Sequence, residues 1–188
     1  MEAFEHDIQQ CLEVLHNGGL ILYPTDTIWG IGCDATHEAA VQKVYALKNR
    51  AESKSLIVLL ADERDVLRYV AAPDLAVFDY VATQERPTTI IFDGALGLAS
   101  NMVADDGSVG IRLVQDTFCR HLIKRFRKPL VSTSANISGD PSPAHFGQIT
   151  DAIKTGVDYV VQWRQEETTA AQPSQIIRWV DGAVQRLR

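Results

Sequence analysis

The chain has 188 residues, 46% of them apolar and 22% charged. That is the make-up of one globular unit of roughly 150 residues or a little more, and it excludes wholesale disorder. Eighteen Lys and Arg against 24 Asp and Glu leave a net charge of −6, which argues against a surface broadly adhesive to nucleic acid while permitting a local basic pocket.

The longest apolar runs, at 19–23 and 56–61, fall far short of the roughly 20 residues that span a bilayer. Residues 1–10 carry acids and no Lys or Arg, unlike a secretory signal. Three scattered cysteines without a C-x-x-C pair predict free thiols in a reducing, cytoplasmic setting. The five histidines show no H-x-x-H or H-E-x-x-H spacing, so no zinc site is expected.

In chain order, Phe4, Ile8, Cys11, Leu12 and Leu15 recur at helical spacing, and Asn17-Gly18-Gly19 closes that helix. Residues 20–23 read as a buried strand stopped by Pro24. A helix is predicted at 38–48, a strand at 56–60, and helical patterns at 62–70 and 73–82. Strands follow at 88–92, 109–113 and 130–133, with a polar loop at 101–108 and a helix at 117–126. After a small-residue loop at 134–143 come a helix near 144–154 and strands near 157–162 and 175–180, with 164–173 polar enough for a mobile loop. This alternation predicts one α/β domain over 1–188 with a twisted, open, mixed sheet and flanking helices.

Four segments could carry chemistry. The run Tyr23-Pro24-Thr25-Asp26-Thr27-Ile28-Trp29-Gly30-Ile31-Gly32 leaves a strand and offers two hydroxyls and a carboxylate, where α/β proteins place ligands. Its Gly30-x-Gly32-x-x-Ala35 is displaced from the strand end by residues 24–29, which sets it apart from a dinucleotide fingerprint. A turn with an Asp cap would explain Asp26 but not the threonine pair. Lys48, Arg50 and Lys54 could converge on an anion or lie solvated beside Glu52. Ser132-Thr133-Ser134-Ala135-Asn136-Ile137-Ser138-Gly139 places hydroxyls and free N–H groups at a strand end, suited to phosphate oxygens or to a plain turn. Arg112 sits in the apolar frame Val109-Gly110-Ile111-Arg112-Leu113, so it needs an internal carboxylate or a bound anion. The stripe Arg120, Lys124, Arg127 reads as a solvated helix face. No Ser-His-Asp or Cys-His arrangement can be drawn.

Together these blocks, with Lys54-Ser55-Leu56, Pro87-x-Thr89, Pro141-Ser142 and Pro173-Ser174, resemble the YrdC-like family of threonylcarbamoyl-adenylate synthases over roughly residues 16–178. The resemblance implies a YrdC-like fold around a large concave, positively charged cavity. It implies a nucleotidyltransferase that converts L-threonine, bicarbonate and ATP into threonylcarbamoyl-AMP and pyrophosphate, for threonylcarbamoyladenosine in tRNA. Lys48, Arg50 and Arg112 are then the catalytic cations, and Lys48, Arg50, Ser134, Asn136 and Ser142 hold ATP. Thr27, Lys54, Thr89, Arg112 and Ser132 hold threonine, with Thr25, Ser138 and Ser174 in lesser roles. Mg2+ would enter through the ATP phosphates rather than a protein cage. Downstream transfer proteins would use the product, with weak or no direct tRNA binding and no membrane partner.

The chain departs from the family pattern at Ala51 and Ser55, where prolines are usual, at Arg86 in place of glycine, and at Gln175 in place of threonine. Arg86 is expected to reshape the pocket mouth. The 188 residues match a catalytic domain without the extra C-terminal domain of longer relatives. Two other readings compete: an RNA-binding module using the cavity rim and the basic stripe, and a divergent ATP-binding relative without threonine-dependent activity.

Overall fold

The computed structural model describes residues 3–51 and 56–188. The strands are β1 (Ile21–Tyr23), β2 (Gly30–Gly32), β3 (Ile57–Leu60), β4 (Thr88–Phe92) and β5 (Val109–Leu113), followed by β6 (Leu130–Ser134), β7 (Tyr159–Val160), β8 (Gln175–Val180) and β9 (Ala183–Arg186). They form a mixed sheet in the order β7-β1-β2-β6-β3-β5-β4-β8-β9, as the alternation of strands and helices predicts. The pairs β1·β7, β3·β5 and β4·β8 are parallel and the other neighbours antiparallel. The central strands β3, β5 and β6 are buried along most of their length, and β3 reads as a continuous apolar run for that reason.

Helices α1 (Glu5–His16), α2 (Glu38–Lys48), α3 (Val77–Ala82), α4 (Thr117–Phe126) and α5 (Asp151–Gly156) flank the sheet. The buried face of α1 (Ile8, Cys11, Leu15) meets α4, with the Phe4 and Phe118 rings edge to face at 5.6 Å. The Glu5–Arg125 ion pair bridging the same helices is partly solvated, so ring burial contributes more than the charges. Asp7 of α1 accepts from the Tyr159 hydroxyl and from the N–H groups of Gln162 and Trp163, fastening the end of β7. Asp116 caps α4 by accepting from Cys119 N, and left-handed Asn49 ends α2.

Several elements differ from the sequence reading. The segment expected to run from strand to helix contains β2, which returns antiparallel to β1. The pattern at 62–70 is a 3-10 helix at Glu63–Arg68, and that at 73–82 shortens to α3. The helix expected at 144–154 divides into a 3-10 turn at Phe146–Gln148 and α5. The strand near 157–162 is only β7, and β9 was not anticipated. The stretch expected to be a mobile loop is pinned at its start: the Arg164 guanidinium pairs with Asp116 at 2.9 Å and Glu167 at 2.7 Å, and reaches the Thr25 carbonyl.

Close packing around β2 explains its glycines. A Cβ on Gly32 would lie 2.6 Å from the Tyr23 ring and 2.8 Å from the Val131 carbonyl oxygen. Neither can move freely, because the buried Tyr23 hydroxyl donates to that same carbonyl at 2.9 Å. Gly32→Ala is therefore expected to destabilise the fold by about 1–3 kcal/mol through overpacking. Urea unfolding measures this, and a change below about 0.5 kcal/mol, the level of an ordinary surface substitution, would refute the packing argument.

Candidate active site

A cavity of about 220 Å³ opens where β2, β6, β3, β5 and the start of β8 come together. On β6, Ser132 and Ser134 are two residues apart and share one face of the strand, and both line the cavity. Arg112 enters from β5, in register with Leu59 of the parallel neighbour β3. The turn between β1 and β2 supplies Thr27, Ile28 and Trp29. Arg50 arrives from the residues after α2, because the left-handed Asn49 redirects the chain. Ser142, Ser174 and Arg188 complete the polar wall, and Leu56, Ile57 and Ile176 the apolar one.

Arg112 is almost fully buried and forms an ion pair with Asp26 at 3.1 Å, while donating to Thr25 Oγ1 at 3.4 Å. Its burial is thus answered by an internal carboxylate, the first of the two alternatives, rather than by a ligand alone. The remaining Asp26 oxygen, Oδ2, accepts from Gln115 N, so the acid fixes its own turn against the end of β5. Arg112 Nε is buried without a hydrogen-bond partner among the described residues. Thr25 is the organiser of the turn: its hydroxyl donates to the Ile28 carbonyl and accepts from Thr27 N, and it lies 3.0 Å from the Thr27 hydroxyl. Of the threonine pair, Thr27 lines the cavity and Thr25 supports it from below.

Lys48 and Arg50 occupy different places. Arg50 lines the cavity, and burial makes its charge harder to hold than in water. Lys48, the last residue of α2, is 1% exposed and lies behind the wall. Its amine donates to the Ser134 and Asn136 carbonyls, and burial, reinforced by Arg50, pushes its pKa down to about 8. Lys54 and Ser55 lie outside the described residues. Asn136 directs its side-chain amide to the carbonyls of Ile137 and Asp140, shaping its own turn. Ser138 donates its N–H to the Lys48 carbonyl at 2.7 Å. Thr89 is fully buried on β4, and its hydroxyl meets that of Ser174 at 2.8 Å, one layer behind the wall.

Arg188 was not anticipated. The β8–β9 hairpin turns at Asp181-Gly182, both with positive φ, and the returning strand brings Arg188 beside Ile176. There its guanidinium donates to the Ser174 carbonyl at 3.0 Å. Burial, then the nearby charges of Arg86 and Arg112, disfavour its charged form. An Asp-Gly pair flanked by apolar alternation was the available signal. Arg86, where the family pattern has glycine, is not itself among the lining residues; its guanidinium donates through Nε and Nη2 to the carbonyl of Pro173, which lines the cavity. Gln175, in place of threonine, donates to Thr88 Oγ1 at 2.6 Å.

Three guanidinium groups, a set of small hydroxyl side chains and an apolar wall, with no carboxylate in the lining among the described residues, define an α/β protein with a cavity suited to a small anionic ligand. The chain belongs to the Sua5/YciO/YrdC family, whose model, described as "Telomere recombination", matches residues 13–188. It is 31% identical to the threonylcarbamoyl-AMP synthase of Idiomarina loihiensis, over 89% of this chain and 91% of that one. With the protein of the same name from Stenotrophomonas maltophilia it shares 29% identity over 97% and 98% of the two chains. Its fold superimposes on P. abyssi Sua5 complexed with L-threonine with a TM-score of 0.85 at 21% identity, covering all of this chain and 55% of that one.

Proposed function

We propose that the protein is a threonylcarbamoyl-AMP synthase, which joins L-threonine, bicarbonate and ATP and releases pyrophosphate. The observation that carries this reading is the set of Arg50, Arg112 and Arg188 around one cavity whose wall, among the described residues, contains no acid. Every reactant is anionic or carries a carboxylate, so such a site gathers what a protein of charge −6 would otherwise repel. The names of the two curated relatives and the threonine in the P. abyssi complex support the same reading.

Arg50 and Arg188 face the nucleotide phosphates, with Ser134 and Ser142 beside them and Asn136 shaping the turn that carries them. Arg112, Thr27 and Ser132 hold the threonine side, with Lys54 contributing as the family resemblance implies. Thr89 fixes Ser174, Thr25 fixes Thr27, and Ser138 anchors the 134–142 segment to α2. The Ile28, Leu56, Ile57 and Ile176 side chains exclude water from the reacting groups.

The threonine amine and bicarbonate give a carbamate with loss of water, and a carbamate oxygen attacks the α-phosphorus as pyrophosphate leaves. That adenylyl transfer needs no protein nucleophile, so the residues act by positioning and by stabilising charge that builds on the leaving group. Among the described residues no group of His, Cys, Asp and Glu gathers to hold a metal. Mg2+ would enter with the ATP phosphates and neutralise part of their charge there.

The continuous sheet from β1 to β9 supports a single catalytic domain. The buried thiols Cys11, Cys33 and Cys119 suit the cytoplasm, where proteins that carry the product's threonylcarbamoyl group to tRNA would use it.

Pyrophosphate release from purified protein tests the assignment. Release that requires both L-threonine and bicarbonate is expected. Release without threonine would indicate a nucleotide hydrolase, and strongly salt-dependent RNA binding without turnover would indicate an RNA-binding module.

A further inference from the structure

The K-x-R and S-x-N segments, 86 residues apart at Lys48 and Ser134, meet through one side chain. Lys48 ends α2 with its amine on the carbonyls of Ser134 and Asn136, and its own carbonyl accepts from Ser138 N. Three bonds thus tie one helix end to three residues of a turn whose flanks, Ser134 and Ser142, line the cavity. We propose that Lys48 is a positioning residue for the reaction, acting on the nucleotide through the 134–142 segment rather than by touching its phosphates. The proposal rests on the synthase reading and specifies how one of its cations works.

Geometry separates Lys48 from Arg50. Lys48 is 1% exposed and absent from the cavity wall, whereas Arg50, beyond the left-handed Asn49, forms part of that wall. Among the described residues no carboxylate pairs with the Lys48 amine; its partners there are main-chain oxygens. A compact ammonium carries three donors on a flexible stem and can serve two carbonyls that diverge from each other. In a trans peptide the N–H points opposite to the C=O, so holding the Asn136 carbonyl also sets the direction of the Ile137 N–H. The turn's own contacts are short-range: Asn136 Nδ2 to Ile137 and Asp140 carbonyls, and Asp140 N to the Ile137 carbonyl. They shape the turn but do not fix it to the rest of the protein. Lys48 and the Ala135 N–H, which donates to the Trp29 carbonyl, do that.

Amide hydrogen exchange and steady-state kinetics on Lys48→Met and Lys48→Gln test the proposal. In the ligand-free protein, exchange at residues 134–142 is expected to accelerate at least tenfold in Lys48→Met, while the strands keep wild-type protection. The KM for ATP is expected to rise about tenfold or more, corresponding to loss of one charge-assisted contact. The KM for threonine should change less than twofold. Lys48→Gln, which retains neutral donors, should recover part of both effects and serves if Lys48→Met fails to fold.

Wild-type exchange at 134–142 together with a raised KM for ATP would overturn the proposal and put Lys48 on the phosphates. Accelerated exchange with unchanged kinetics would reduce it to scaffolding and overturn it equally. If the wild-type protein released no threonine-dependent pyrophosphate, the synthase reading would fail, whereas the exchange arm would still report whether Lys48 holds the turn.

Discussion

Arg112→Ala is expected to lower threonine-dependent pyrophosphate release by roughly 10- to 150-fold, the loss of a charge-assisted contact worth about 1.5–3 kcal/mol. The same change strands Asp26, whose side chain is only 9% exposed and whose Oδ1 faces the guanidinium at 3.1 Å. Removing one partner of a buried pair costs about 3–5 kcal/mol, so low activity in this variant mixes lost chemistry with lost fold. The double variant Arg112→Met with Asp26→Asn separates them. The amide oxygen that Asp26→Asn introduces would still accept from Gln115 N as Asp26 Oδ2 does, and no buried charge would remain unpaired. Thermal unfolding of the double variant should return most of the way to wild type, while pyrophosphate release stays at the Arg112→Ala level. Recovery of activity along with stability would show that Arg112 serves the fold alone.

That pair also marks how much could be read before any coordinates. An Arg in the frame Val-Gly-Ile-Arg-Leu demanded an anion, and it has one. Choosing between carboxylate and ligand required knowing that the β1–β2 turn lies across the end of β5, a contact 86 residues away in sequence. The apolar run that became β3 was legible because burial on both faces erases alternation, and β4 was legible from its β-branched residues. Gly30-Ile31-Gly32 was not legible as a strand, since glycine is depleted in strands and the Tyr23 ring and Val131 carbonyl that require glycine at position 32 are known only from the fold.

The cluster Lys48, Arg50, Lys54 was recognised as chemistry, but spacing could not say which charge turns inward. Lys48 takes the buried face of the last helical turn, and the left-handed Asn49 sends Arg50 elsewhere. Lys54 lies outside the described residues. Arg188 was missed for another reason: its partners Ser174 and Ile176 are strand neighbours across a hairpin, and the Asp181-Gly182 signal for that hairpin was passed over.

On the nucleotide side, Arg50→Ala and Arg188→Ala should both raise the KM for ATP, and unequally. Both guanidiniums line the cavity, and Arg188 is the more exposed of the two. A charge in water-excluded surroundings acts on an anion with less screening, so Arg50→Ala belongs near the upper end of a roughly 10- to 150-fold range and Arg188→Ala near about tenfold. Salt should distinguish them further: raising ionic strength to about 1 M shortens the screening length to about 3 Å and should erase more of the exposed arginine's advantage than of the buried one's. The free protein should respond in the opposite sense. Arg188 sits where burial, and then the charges of Arg86 and Arg112, disfavour its charge, so its removal relieves desolvation and repulsion while losing one hydrogen bond to the Ser174 carbonyl. Stability of Arg188→Ala should therefore stay within about 1 kcal/mol of wild type, even as its affinity for ATP falls. Titration of ATP into each variant at low and high salt, with urea unfolding alongside, measures both. Equal salt dependence for the two variants, or a weaker effect for Arg50 than for Arg188, would refute the stronger role of Arg50 against the phosphates.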